Sequence, residues 1–157
     1  MKTTIEKAKE QAHKDTVNVL QGILEKNYDA EKGYKKAMQD AKTPALKNFL
    51  QKQAVQRSHF ATAIDKELRD LDETPIESGS LTGTLHRAWI EIKSSVAGND
   101  DAAVLEEVIR GEKASVDEYQ EVMKNNTLAP KINSLLKSQL SDIQDTLSRV
   151  KTLEDIV

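Results

Sequence analysis

Two stretches of this chain copy one another, and the copy dictates a helical hairpin built twice. From Pro44 the first runs through Leu46, Phe49, Leu50, Gln53, Gln56 and His59. From Pro130 the second runs through Ile132, Leu135, Leu136, Gln139, Asp142 and Asp145, at the same spacings. Ahead of the prolines stand Ala30-Glu31-Lys32 and Gly111-Glu112-Lys113. The repeat predicts a four-helix bundle with internal two-fold pseudosymmetry. One carboxylate on the first helix of each hairpin and a polar i, i+3 pair on the second is also how such bundles hold two metals.

Composition agrees with an all-α chain. Of 157 residues, 31% are charged and only 4% aromatic, with few glycines and prolines, which argues against a sandwich or barrel. Without cysteine there are no disulfides, zinc fingers or thiol chemistry. A net charge of −3 with acids and bases interspersed predicts neither a nucleic-acid nor a membrane-surface partner. No apolar run approaches the roughly 20 residues of a bilayer span, and the N-terminus lacks a signal-type hydrophobic segment. A cytoplasmic protein is the expectation.

Residues 1–14 are polar and read as a frayed extension, with residues 15–157 as the bundle domain. Asp15 is the expected N-cap of the first helix, whose stripe is Val17, Leu20, Ile23, Leu24, Asn27, Glu31, Tyr34 and Met38. That helix reaches about Ala41. Thr43-Pro44 then supplies a cap and a first-turn proline for the second helix. The segment 72–83 contains Pro75, Gly79 and Gly83 and reads as the longest connection. A short extra helix with Leu85, Trp89, Ile92 and Val96 follows within it. Asp100 caps the third helix, with Val104, Leu105, Val108, Ile109, Glu112, Val116, Tyr119 and Met123 on its stripe. Pro130 opens the fourth. Two hairpins joined by one long crossover is the connectivity of ferritin-like bundles.

Each long stripe is broken near its middle by polar residues: Glu31, then Gln53 and Gln56, then Glu112, then Gln139 and Asp142. A buried carboxylate requires a partner. Hard divalent ions suit carboxylates, and imidazole adds affinity for iron or manganese. A di-iron bundle uses one Glu from each of two helices and Glu-x-x-His from each of the others. Glu31 and Glu112 meet the first requirement. The second is not met, since those positions hold Gln56-x-x-His59 and Asp142-x-x-Asp145, which leaves Glu31, His59, Glu112 and Asp142 as the metal candidates, with Asp145 as a candidate further ligand. The competing reading is a hydrogen-bonded layer of Glu31, Gln56, Glu112 and Gln139, neutralised by Arg57 or Arg110. No phosphate-binding glycine loop or singled-out Ser/His/Asp set is present. His13 reads as exposed, and the pair His86 and Trp89 reads mainly as an anchor for the crossover helix.

At the crossover, Gly79-Ser80-Leu81-Thr82-Gly83-Thr84-Leu85-His86-Arg87-Ala88-Trp89 resembles the signature of an uncharacterised bacterial family of ferritin-like four-helix proteins. Gly33-Tyr34, Gln56-Arg57 with Phe60, Glu106-Glu107, Arg110-Gly111-Glu112, Gln139, Arg149-Val150 and Leu153 extend the match. The resemblance implies a ferritin-like bundle linked with bacterial stress responses and without an established activity. The chain departs from that pattern at Gln56 and Ile109, where the family implies acids, and at Leu147, where it implies histidine. Each departure removes a ligand.

The sequence therefore points first to a non-enzymatic, stress-associated binding or interaction protein with a degenerate metal site and no cofactor. The alternative is a carboxylate-bridged oxidase or iron-handling protein that binds iron or manganese. A purely structural homo-oligomer is the third reading.

Overall fold

The structure is a computed structural model and describes residues 1–77 and 100–156. It is an all-α, ferritin-like bundle of four helices: α1 (Thr4–Asp40), α2 (Pro44–Asp70), α3 (Asp101–Asn125) and α4 (Pro130–Arg149), followed by a 3₁₀ turn (Leu153–Ile156). The first two form one close-packed hairpin and the last two the other, with α1 also packed on α3. The extra crossover helix and its signature string fall outside the described residues. Among the described residues no helix is long and apolar enough to cross a membrane.

Helix starts follow the sequence closely, with one exception. Thr43 accepts a hydrogen bond from the Leu46 N–H ahead of Pro44, and Asp100 accepts one from Ala102. The first helix, however, starts at Thr4 and not at Asp15. Thr3 and Glu6 form a reciprocal capping box: the Glu6 N–H donates to Thr3 Oγ1 at 3.1 Å and the Thr3 N–H to Glu6 Oε2 at 2.9 Å. Residues 1–15 are exposed throughout, so no apolar stripe marks them. From Thr4 onward they are helical, with the capping box at the start. At 37 residues α1 is about 55 Å long at 1.5 Å per residue, against about 40 Å for the 27 residues of α2.

Loops are pinned by side chains. Asp101 accepts the Lys42 and Thr43 N–H groups at 2.8 and 3.0 Å, fixing the α1–α2 turn to the start of α3. Burial opposes the charge on Asp101, but these hydrogen bonds outweigh it and hold its carboxyl below the usual range. At the end of α2 the Glu73 N–H bonds Leu68 O at 3.0 Å, with Asp72 at φ 61, a Schellman-type ending. Gln21 then grips the departing chain, donating to Thr74 O at 2.8 Å and accepting from the Ile76 N–H at 3.0 Å.

The apolar core has two parts. One surrounds Tyr34, Ala37, Leu46, Leu50, Leu105 and Val108, and the other Leu20, Ile23, Leu24, Ile64, Leu68, Leu136 and Ile143. Each fully buried aliphatic side chain contributes about 1.5–3 kcal/mol. Between the two parts α1, α2 and α3 contribute buried polar residues: Asn27, Arg57 and Glu112.

Gly22 lies inside α1 facing open space, and an added Cβ meets nothing within 4 Å. A mid-helix glycine costs about 0.5–1 kcal/mol relative to alanine. Gly22→Ala is expected to stabilise the protein by that amount, raising the urea midpoint with an unchanged m-value. A lower midpoint would show that this face of α1 depends on the missing side chain.

Candidate functional site

The polar stratum between the two apolar parts is one connected network. Asn27 is spaced at i+3 and i+4 from Leu24 and Ile23, so it shares their inward face. Its Nδ2 donates to Ile23 O and to the Tyr119 hydroxyl, both at 2.9 Å. Its Oδ1 accepts from Arg57 Nη1 at 2.9 Å. Arg57 Nη2 donates to Glu112 Oε1, also at 2.9 Å, and the Tyr34 hydroxyl donates to the same oxygen. Tyr119 O–H donates to Gln139 Oε1 at 2.7 Å, and Gln139 Nε2 donates to Phe60 O at 3.3 Å. The Arg57 guanidinium also lies 5.9 Å from the centroid of the Phe60 ring. All four helices thereby enter one hydrogen-bonded chain.

Arg57 and Glu112 form a salt bridge with side chains only 1% and 3% exposed. Burial works against the guanidinium charge, yet the Glu112 carboxylate, aided by Tyr34 and Tyr119, outweighs it and raises the Arg57 pKa. Burial is also the main reason that Tyr34 titrates well above the usual range, reinforced by the Glu112 charge. Tyr119 is pushed up to about 12, again chiefly by burial, with Glu112 and Glu118 adding to it. The layer therefore holds one fixed ion pair and two tyrosines locked in the protonated state at neutral pH. Among the described residues, four buried atoms on α2 and α3 make no hydrogen bond: Arg57 Nε, Glu112 Oε2, Gln53 Oε1 and Gln56 Oε1.

Of the residues expected from the sequence, Glu112, Gln139 and Arg57 meet in this layer. Glu31 is partly buried and pairs with Lys35 at 3.0 Å. His59 and Asp142 are exposed, as is Asp145, which pairs with Arg149 at 3.2 Å. Arg110 pairs with Glu107 at 2.8 Å. Among the described residues no group of three or more His, Asp or Glu is arranged to hold a metal ion. The pair His86 and Trp89 lies outside the described residues.

Asn27, Tyr34 and Tyr119 belong to the network although the sequence placed them only on packing stripes. The inward face of α1 steps from Asn27 to Ala30 to Tyr34, so Glu31 stands one position off it. On α3 Gly111, the counterpart of Ala30, is buried, and Glu112 beside it is buried as well. Polar groups at i, i+3 or i+4 from fully apolar neighbours were the available signal.

A family model described as a domain of unknown function (DUF2383) matches residues 15–125 of the 157. The chain belongs to this family. The DUF2383 match covers α2, α3 and all of α1 beyond its exposed N-terminal turns. No curated protein matches the chain. Among solved structures, a crystal structure of ferritin-like, diiron-carboxylate proteins from Bacillus anthracis str. Ames is similar, with a TM-score of 0.65 over 87% of this chain and 93% of that one. At 15% identity the likeness establishes the fold. DUF2383 is thus, in this chain, a ferritin-like helical domain of unknown function.

Proposed function

We propose that this DUF2383 domain is a non-enzymatic binding or interaction scaffold in which an internal guanidinium replaces the metal pair of a ferritin-like centre. The observation that carries the reading is the buried Arg57–Glu112 contact at 2.9 Å. Arginine is charged at every physiological pH, and its planar fork matches a carboxylate. It supplies the positive charge that a buried glutamate requires, and Tyr34 supplies a further donor to the same oxygen. A divalent ion placed beside Glu112 would meet the Arg57 charge in a weakly screened interior. The donor set of the layer, one carboxylate with two amides and two protonated tyrosines, does not fit a carboxylate-bridged pair.

The neighbour from Bacillus anthracis carries diiron-carboxylate in its title, which motivates the other reading, a protein holding iron or manganese through Glu31, His59, Glu112 and Asp142. For that set to converge, exposed His59 and Asp142 must turn inward and Arg57 must leave Glu112. An association with bacterial stress is supported by the family resemblance of the crossover string.

Metal analysis separates the two readings. After anaerobic loading with iron or manganese and removal of free metal, the purified chain is expected to retain well under one equivalent. Glu31→Ala/Glu112→Ala is expected to retain the same. Stoichiometric metal that disappears in the double variant would overturn the proposal.

A further inference from the structure

The ion pair is only half used, and the unused half lies on one side. Glu112 Oε1 accepts from both Arg57 Nη2 and the Tyr34 hydroxyl, while Oε2 of the same carboxylate is buried without a donor. On the guanidinium, Nη1 is bonded to Asn27 and Nη2 to Glu112, while Nε is buried without an acceptor. Nε and Nη2 share one edge of the guanidinium, and Oε2 shares a carbon with Oε1. Both orphaned atoms therefore border the 2.9 Å contact. An unpaired donor and an unpaired anionic acceptor, each on a side chain at least 97% buried, are a costly combination that native interiors resolve with a partner.

We propose that an ordered water molecule is a fixed component of this layer, accepting from Arg57 Nε–H and donating to Glu112 Oε2. The ligand must donate to a carboxylate and accept from a guanidinium at the same time, which a water molecule does. Two further atoms on α2 are in the same state. Gln53 stands one turn before Arg57 on α2 and Gln56 directly before it, and each keeps a buried Oε1 without a donor. Both residues are only partly buried. At about one buried water per 27 residues, a chain of 157 residues ordinarily holds about six, so one in this layer falls within the usual number. This inference concerns the ion pair alone and holds whatever the domain binds.

Two measurements on the full chain test it. A high-resolution crystal structure is expected to show a water within hydrogen-bond distance of both Arg57 Nε and Glu112 Oε2. Oxygen-17 magnetic relaxation dispersion, which counts long-lived internal waters, is expected to lose at least one in a folded Arg57→Met/Glu112→Met double variant. A direct Nε–Oε2 contact without water in the crystal would overturn the proposal, as would an unchanged dispersion amplitude in the folded double variant. Should that variant not fold, the crystal structure of the unaltered chain decides alone.

Discussion

Arg57→Met is expected to destabilise the domain by about 3–5 kcal/mol, because it leaves the Glu112 carboxylate buried without its counter-ion. Methionine fills much of the arginine volume, so little of this loss comes from a cavity. Asn27 Oδ1 also loses its donor, which adds a smaller penalty for an unpaired polar atom. The double variant Arg57→Met/Glu112→Leu removes both charges together. It is expected to recover most of the loss, since replacing a whole buried ion pair by apolar groups is often neutral or better. Chemical denaturation at pH 7 supplies the free energies, and the double-mutant cycle gives the coupling between the two residues. A single variant that loses no more than about 0.5 kcal/mol, the range of ordinary surface changes, would mean that Glu112 is not held by Arg57. A double variant as unstable as the single would instead assign the loss to packing.

The fold was legible in the sequence because its signals are local and repeated. Thr43-Pro44, Asp100 and Pro130 mark helix starts by capping chemistry that depends on a few neighbouring residues. The α1 start was missed for a related reason. Residues 1–14 carry no apolar stripe, and the Thr3-x-x-Glu6 capping box is the local signal that marks the start. The polar layer was legible only in part. Glu112, Gln139 and Arg57 were identified, but Glu31 was grouped with Glu112 because the repeat aligns them. The aligned positions Asn27/Val108, Ala30/Gly111 and Tyr34/Ser115 are buried on both helices, so the phase is shared, and the difference is that Glu112 is buried as well while Glu31 is only partly so. Glu31 stands at the margin of the inward face, where it pairs with Lys35 instead of entering the layer. Sequence symmetry therefore overstated structural symmetry at the one layer where a metal pair would need it. Asn27, Tyr34 and Tyr119 were harder to see, because tyrosine serves equally as an apolar packing residue and as a hydrogen-bond donor.

The tyrosines yield the second large effect, an alkaline transition in which hydroxyl ionisation and unfolding are one event. The chain has three tyrosines. Tyr34 and Tyr119 are buried with folded pKa values above the usual 10, the second at about 12. Tyr28 is less enclosed and is raised by burial and by Asp65. For a tyrosine the neutral form holds the proton, so a raised folded pKa means that the unfolded chain releases it first. Each buried hydroxyl thus contributes a stability that is complete below pH 10 and lost as pH climbs through the folded value. One pKa unit corresponds to about 1.4 kcal/mol, so Tyr119 alone removes roughly 3 kcal/mol between pH 10 and pH 12. Tyr34 acts in the same direction. Absorbance at 295 nm in native buffer is expected to show one tyrosine titrating before any loss of helix, and two ionising together with the collapse of the circular dichroism signal. In concentrated denaturant all three are expected to titrate together near pH 10. Tyr119→Phe is expected to reduce the slope of stability against pH above 10 by about half, since one of the two linked protons is gone. Three tyrosines that ionise freely while the helices stay intact would show that the layer is open to hydroxide, and would remove the basis for treating Tyr34, Arg57 and Glu112 as a sealed network.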